Sequence, residues 1–423
     1  MREQDHTRTA TEGRPVSSLK TRLLRSSEEL VDCREAWDDL WERSDVANPT
    51  SQAELVAARV RHLEGSAQFR ALIVESADRI IAALPLISRR LKGLLRVGSL
   101  PCNCWIAGGS LLLDPTVDAI AALDSLATGI HELPWPILWL DQVSYEHPHW
   151  KSLRGAAERS GISGSVREHY RIGQVEIGHD WEAYKRQMKG DHRRKLNRYV
   201  RKLDEAGGAE LRLIRPQAPE KVDSLVQRAF EIEDRSWKGT EGTSVLNNPS
   251  VLAHYRQESR ELARRGQLEL AFLEHHGRSI AFVYGYSAKG VFFVTKLGYD
   301  EEFMKFGPGQ QLILRLLEQF HGEPERRLVD FAGPLVPFHQ VWATSSYPVG
   351  PLVLATSQLL ARGMFHVYTQ WQPRIKRVRE RVAFSLQTVR TTVQSIKARL
   401  WKGWQPETPV PRTASPALGQ LDE

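Results

Sequence analysis

The sequence is poor in sulfur, with three cysteines and four methionines in 423 residues. Cys33, Cys102 and Cys104 are too few to staple a chain of this length, and the closely spaced pair has no second pair to complete a zinc site. Reduced, unliganded thiols and no metal are expected. Long apolar runs are missing as well. Nothing hydrophobic follows Met1-Arg2-Glu3-Gln4-Asp5-His6, and the most lipid-like stretch, 351–368, is interrupted by Ser357, Gln358, Arg362 and His366. A secretory signal and a spanning helix are therefore not expected, and a cytoplasmic location is. No Gly-x-Ser-x-Gly elbow follows a strand pattern; the nearest string, Gly161-Ile162-Ser163-Gly164, is one position short. His147-Pro148-His149 and His275-His276 have no carboxylate or thiolate at metal spacing in the sequence and read as loop histidines.

Apolar residues at 41% and charged residues at 26% are ordinary globular values, and the length favours two or three compact units. The net charge of +7 is local: residues 372–403 hold nine cations against Glu380 alone, so the rest of the chain is close to neutral. A body built for nucleic acid would spread its cations, so that class is disfavoured and any anionic partner is expected at this stretch. Ile375, Val378, Val382, Leu386, Val389, Val393, Ile396 and Leu400 make one apolar stripe along it. Such a basic amphipathic helix fits either an anionic inner-membrane surface or packing on the body or on a second copy, as in a homodimer.

Between polar ends the pattern repeats. A capped amphipathic helix from Ser26 through Trp41, a helix over 52–63, a hairpin over 69–74 and 79–87 turning at Ser76-Ala77-Asp78, a strand at 111–113, a helix at 118–132 and a strand at 137–140 are expected. The order returns about 190 residues later: helices at 218–237 and 249–265, a hairpin over 268–286 turning at His275-His276-Gly277, a strand at 291–297, a helix at 308–320 and a strand at 327–331. The predicted organisation is disordered 1–19, one α/β domain at 20–175, a second at 176–345, a helical basic extension at 346–404 and a disordered tail at 405–423.

Three constellations could carry chemistry. Phe306-Gly307-Pro308-Gly309-Gln310-Gln311 opens a helix, where free amides at Gly309, Gln310 and Gln311 would hold an anion such as a pyrophosphate; a plain Gly/Pro turn is the alternative. Glu233 falls against the apolar stripe of Val222, Leu225, Val226, Ala229, Phe230 and Trp237, so desolvation is expected to raise its pKa toward that of a general base, unless it pairs with Arg235 or Lys238. In 191–203, Leu196, Tyr199, Val200 and Leu203 share one helical face and leave Arg194, Lys195, Arg198, Arg201 and Lys202 for a polyanion, a nucleotide phosphate, an anionic lipid or water.

In their order these segments resemble the GNAT-fold acyltransferases of the cellulose and exopolysaccharide biosynthesis family, relatives of the Fem-type peptidyltransferases. The resemblance covers roughly residues 30–345 and is carried by Arg193-Arg194-Lys195-Leu196 with Arg198, Glu233 with Ser236-Trp237-Lys238-Gly239, the hairpin from Leu268, and Tyr299-Asp300 followed by Gly307-Pro308-Gly309. It implies two GNAT-like α/β domains in tandem, each a mixed sheet flanked by helices, with the active cleft in the second. It also implies acyl transfer, most simply acetyl, from acyl-CoA to an amine or sugar hydroxyl of a small-molecule or saccharide acceptor. Val294, Thr295 and Lys296 would run along the pantetheine arm, and Gly307, Gly309, Gln310 and Gln311 would take the pyrophosphate. Glu233 would be the base, Trp237 and Lys238 would meet the acceptor, and Tyr299, Asp300, Arg194 and Arg198 would line the substrates. Aminoacyl transfer from charged tRNA and a non-catalytic scaffold of a polysaccharide-synthesis complex are the alternatives. The sequence departs from the family pattern after Asp330-Phe331, where Phe338-His339-Gln340-Val341-Trp342 replaces a Tyr-Lys before an aromatic.

Overall fold

The computed structural model describes residues 19–63, 68–91, 95–102, 109–356 and 363. All fall in the first of two units, which ends at Phe365. The disorder expected at both ends, Cys104, and the basic stretch at 372–403 lie outside the described residues.

In the first half, β1 (Lys20–Leu24) leads to α1 (Ser27–Asp32), whose start is held by Ser26 Oγ accepting the Glu29 amide at 3.2 Å while the Glu29 carboxylate takes the Arg25 amide at 2.9 Å. The single helix expected from Ser26 through Trp41 is broken at Cys33, and α2 (Arg34–Arg43) follows. After α3 (Ala53–Leu63), the hairpin β2 (Phe69–Ser76) and β3 (Arg79–Leu91) turns at Ala77 and Asp78 with φ of 48° and 62°. Such left-handed two-residue turns match the natural twist of paired strands. Next come β4 (Leu95–Ser99), β5 (Leu112–Leu113), α4 (Ala119–Ile130), β6 (Ile137–Val143), α5 (Pro148–Arg159) and β7 (Ser163–Val166). Trp37, Trp41 and Val56 pack on one sheet face; Leu126, Leu138 and Leu153 pack on the other.

The second half repeats this three-layer arrangement. After β8 (Tyr170–Glu176) it holds α6 (Trp181–Gln187), α7 (Gly190–Glu205), β9 (Glu210–Ile214), α8 (Val222–Asp234), α9 (Trp237–Thr240) and α10 (Pro249–Arg264). Then follow β10 (Leu268–His275), β11 (Arg278–Ala288), β12 (Val291–Tyr299), α11 (Pro308–His321), β13 (Leu328–Pro334), α12 (Pro337–Gln340) and β14 (Ser345–Ala355). Phe230, Tyr255, Phe272 and Phe282 fill one side of the sheet, with α8 and α10 above them. Leu196, Phe292, Leu312 and Phe320 fill the other, beneath α7 and α11.

The strand order is β1-β2-β3-β4-β6-β14-β8-β13-β12-β11-β10-β9. Read from either end it is the same pattern: antiparallel strands, then one parallel pair, β4 with β6 and β12 with β13. The closing strands are exchanged. β8 comes from the first half of the chain and pairs with β13, whereas β14 comes from the end and pairs with β6 and β7. This corrects the expected boundaries: 175/176 falls at the end of β8, a strand of the second half's sheet, and residues 345–355 are strand rather than helical extension. Separate sheets in the two halves are likewise not found, because Ser345–Val349 pairs with β8 and Gly350–Ala355 with β6, making one path. Alternation of polar and apolar residues cannot say which neighbour a strand takes, so the exchange is invisible in the sequence.

At the crossing, Gly350 has no room for a side chain, since a Cβ would lie 1.8 Å from the Arg167 carbonyl oxygen. Gly350→Ala should therefore destabilise the protein by about 2–3 kcal/mol, the scale of an overpacked interior. Urea unfolding followed by tryptophan fluorescence should show one shifted transition, and two separate transitions would contradict a strand shared by both halves.

Candidate active site

The parallel pairing of β12 with β13 lasts only from Val291↔Leu328 to Phe293↔Asp330. Beyond that fork the strands part, and Thr295 is inserted as a bulge: Tyr284 opposes Lys296, and Gly285 opposes Val294. A bulge bends its strand and breaks the ladder locally. Thr295 Oγ1 ties it to the Tyr284 carbonyl at 2.9 Å. Val294, Thr295 and Lys296 thus lie beside a gap in the sheet, where their outer backbone edge is not paired with β13. Their side chains are otherwise engaged, with Val294 in the core beside Phe292 and Lys296 bonded across the opposite face.

At the far end of β12, a short 3-10 turn (Glu301–Phe306) leads to Gly307, in the left-handed region at φ 60°, and to α11. A Cβ on Gly307 would lie 2.5 Å from the Tyr199 ring, so both conformation and space require glycine. A Cβ on Gly309 would be in van der Waals contact with Leu297, Tyr299 and Phe338. Pro308 has no amide to satisfy, and among the described residues no acceptor takes the Gly309 or Gln310 amide. The Gln311 amide bonds the Gly307 carbonyl at 3.1 Å, and its side chain bonds the carbonyls of Tyr199 and Phe306 at 3.0 and 2.9 Å. The three open amides expected are two, and Gln311 is the brace that holds α7 against the loop. Lys195 and Arg198 flank the Tyr199 ring at 5.7 and 5.9 Å, so two exposed cations of α7 stand beside the helix start, whereas Arg194 turns to Asp191. The corresponding helix of the first half, α4, has its amides occupied: the Asp118 carboxylate accepts from Ile120 and Ala121 at 2.9 and 3.3 Å.

Glu233 is fully buried, as its place on the stripe predicts. Its pKa is not raised. Burial pushes the carboxyl up, but Lys296, Lys238 and the Val245 amide more than offset this and hold it below the ordinary 4.5. Lys238 Nζ lies at 2.7 Å and Lys296 Nζ at 3.4 Å from Oε1, and the Val245 amide donates to Oε2 at 3.0 Å. A carboxylate so neutralised is a poor proton acceptor. The string Ser236-Trp237-Lys238-Gly239 builds this pair: Ser236 caps α9, and Gly239, whose Cβ would collide with the Asp234 carbonyl at 1.8 Å, folds α9 back over the end of α8. Trp237, expected in the buried stripe, is half exposed, with its amide on Glu301. Asp300 is buried, and although burial pushes its pKa up, Arg235, Arg278 and the Glu302 amide hold it below its ordinary value. It braces the loop and is closed to substrate.

The groups that face open space are elsewhere. At the fork lies a cavity of 170 Å3 between the two halves, lined by Asp141, Phe293, Asp330, Ala332 and Tyr347 among others. Burial raises the Asp330 pKa despite bonds from the Ala332 amide, Gln174 and Tyr347. Burial also raises that of Asp141, against the Trp139 indole at 2.8 Å and Arg89. Lys238 and Trp237 do not line this cavity. Asp141 stands outside the three constellations of the sequence, although an acid inside the apolar strand Ile-Leu-Trp-Leu-Asp is a signal of a buried polar site. A second cavity, of 380 Å3, adjoins the first and reaches Asp45, His147 and His149. The carboxylate that the histidines lack in sequence is supplied by the fold.

A mixed sheet flanked by helices, splayed at β12 and β13 beside a glycine-started helix, is the tandem GNAT-like fold that the resemblance implies. Residues 190–338 match the family model described as Acetyltransferase (GNAT) domain, so the second half of the chain carries a GNAT-type acetyltransferase domain. The solved structure of FemX is similar in fold, at 12% identity and a TM-score of 0.55, covering 78% of this chain and 97% of FemX. Two further structures align at lower similarity. The C-terminal domain of a protein described as a lysylphosphatidylglycerol synthetase, from Agrobacterium fabrum, has 11% identity and a TM-score of 0.48, covering 81% of this chain and 97% of that domain. A tandem GNAT protein from the clavulanic acid biosynthesis pathway has 15% identity and a TM-score of 0.41, covering 79% and 98%. No curated protein matches by sequence.

Glu233→Gln should cost about 3 kcal/mol at pH 7, because it leaves two lysines without their countercharge. A lowered carboxylate pKa contributes stability that is fully present above pH 4.5 and lost as pH falls through the lower folded value. The difference between wild type and variant in urea midpoint should therefore shrink in acid; a difference independent of pH would contradict the ion pair.

Proposed function

We propose that the protein moves an acyl group, acetyl in the simplest case, from acyl-CoA to an amine or sugar hydroxyl, in polysaccharide or cell-envelope synthesis at the cytoplasmic side of the membrane. The observation that carries this reading is the gap between β12 and β13, open at one end to the Gly309 and Gln310 amides and ending at the other in the Asp141 cavity. From Phe293 to Tyr299 the strand runs roughly 20 Å, enough for an extended pantetheine arm. The pyrophosphate rests on the two amides with Lys195 and Arg198 alongside, and the free edge of Val294 to Lys296 pairs with the arm. The thioester then lies at the bulge, and the acceptor enters through the cavity between the halves. Catalysis is positioning, polarisation of the thioester carbonyl by a strand amide, and removal of a proton from the attacking group. In this reading Asp141 is the base, as the more exposed of the two carboxyls, Asp141 and Asp330, that line the cavity, and Glu233 fixes Lys296 and with it the bulge.

Calorimetry tests the donor site. Gly309→Glu places a carboxylate at the amides and should weaken acetyl-CoA binding roughly 100-fold, the scale of one or two charge-assisted bonds, in protein that circular dichroism shows to be folded. Asp141→Asn should lower kcat by about 10² or more and leave CoA affinity alone. Unaltered turnover would remove Asp141 from the mechanism.

The exposed basic face of α7 favours one rival, aminoacyl transfer from charged tRNA. Salt-sensitive tRNA binding with no CoA binding is its signature. For the stretch 372–403 the reading extends to an anionic membrane surface: salt-reversible flotation with anionic vesicles should be lost on its deletion. Dissociation of a dimer by the same deletion, with vesicle binding at background, would assign the stretch to self-association.

A further inference from the structure

Asp45, His147 and His149 offer three ligand atoms that all lie within 4.8 Å of one another. His147 Nε2 stands 3.4 Å from Asp45 Oδ2, and His149 Nδ1 stands 3.3 Å from Oδ1. These spacings exceed the roughly 2.7–2.9 Å of a charge-assisted hydrogen bond. Each histidine nitrogen thus stands from one carboxylate oxygen at the roughly 3.3–3.4 Å that separates two ligand atoms on a metal held at about 2.0–2.1 Å, and a small turn of the exposed Asp45 side chain presents a single oxygen to both. The two rings stand edge to face at 4.9 Å, inclined at 76°, and so approach the shared carboxylate from different directions.

The three residues come from separate segments that are each held in place. Asp45 lies on the turn after α2, whose Trp41, Ser44 and Val46 carbonyls all accept from Lys289 of the second half, and Lys289 also sits over the Trp41 ring at 4.4 Å. His147 is the residue before α5, and Pro148 fixes its link to His149 in the first turn. His147 and His149 are partly buried, while Asp45 is exposed, and all three line the 380 Å3 cavity that adjoins the Asp141 cavity. Two imidazoles and one carboxylate are the donor set of a divalent transition ion, with one position left for water or an oxygen donor.

We infer that Asp45, His147 and His149 form a binding site for a divalent transition-metal ion of the Zn2+ class, with an open coordination position facing the cleft between the two halves. The site is independent of the acyl-transfer reading, and its test needs no turnover. Titration of the metal-stripped full chain with Zn2+ should give one equivalent bound, and Zn2+ should raise the thermal unfolding midpoint. His147→Ala and His149→Ala should each abolish both effects and Asp45→Asn should weaken both, while His131→Ala, on the other end of the same half, leaves them unchanged. Co2+ in the wild-type chain gives a readout that does not depend on any variant folding: an intense visible spectrum without a thiolate charge-transfer band is expected. Absence of Zn2+ uptake, uptake that survives both histidine substitutions in folded variants, or a thiolate band in the Co2+ spectrum would each overturn the assignment.

Discussion

A single strand carries hydrogen bonds that neither half can do without. β14 satisfies β8 with its first five residues and β6 with its last, so the backbone groups of both sheets are paired only when Ser345–Ala355 lies between them. Because β8 makes the reciprocal move, each half is completed by a strand from the other. The cleft follows from this exchange. Tyr347, on the part of β14 that pairs with β8, bonds Asp330 at 3.0 Å, and Asp330 sits at the fork where β12 leaves β13. Strand exchange, cavity and the gap between β12 and β13 are therefore one construction.

The two halves share a plan and differ at one helix start. Both have a strand, a helix and a parallel strand in the same places. In α4 the Asp118 side chain occupies the first-turn amides; in α11 the residue before Pro308 is glycine, and two amides stay open. The side-chain anion that closes the first turn of α4 has no counterpart at the start of α11 among the described residues.

Charge balance in the second half illustrates why burial and basicity are separate questions. The periodicity of α8 correctly places Glu233 among Val226, Phe230 and Ile232, and an isolated carboxyl there would be a base. Two lysines, one five residues on and one from β12, reverse the outcome. Asp330 meets only amides and a hydroxyl, and Asp141 an indole and a single guanidinium, Arg89 at 3.5 Å, so burial keeps its effect at both.

The sequence by itself determined what depends on near neighbours. It was enough for the two rounds of helix and hairpin, the left-handed turns at Ala77 and His276, the glycine-started helix at Gly307 and the exposed basic face of α7, because periodicity, capping and turn chemistry act over a few residues. It misplaced Trp237, the break at Cys33 and the character of Glu233. Tertiary structure alone decided the exchange of β8 and β14, the neutralisation of Glu233 by Lys296, the cavity at Asp141, and the meeting of Asp45 with His147 and His149. Each joins residues tens to hundreds of positions apart, and electrostatic and coordination geometry at such separations is set only when the sheets have closed.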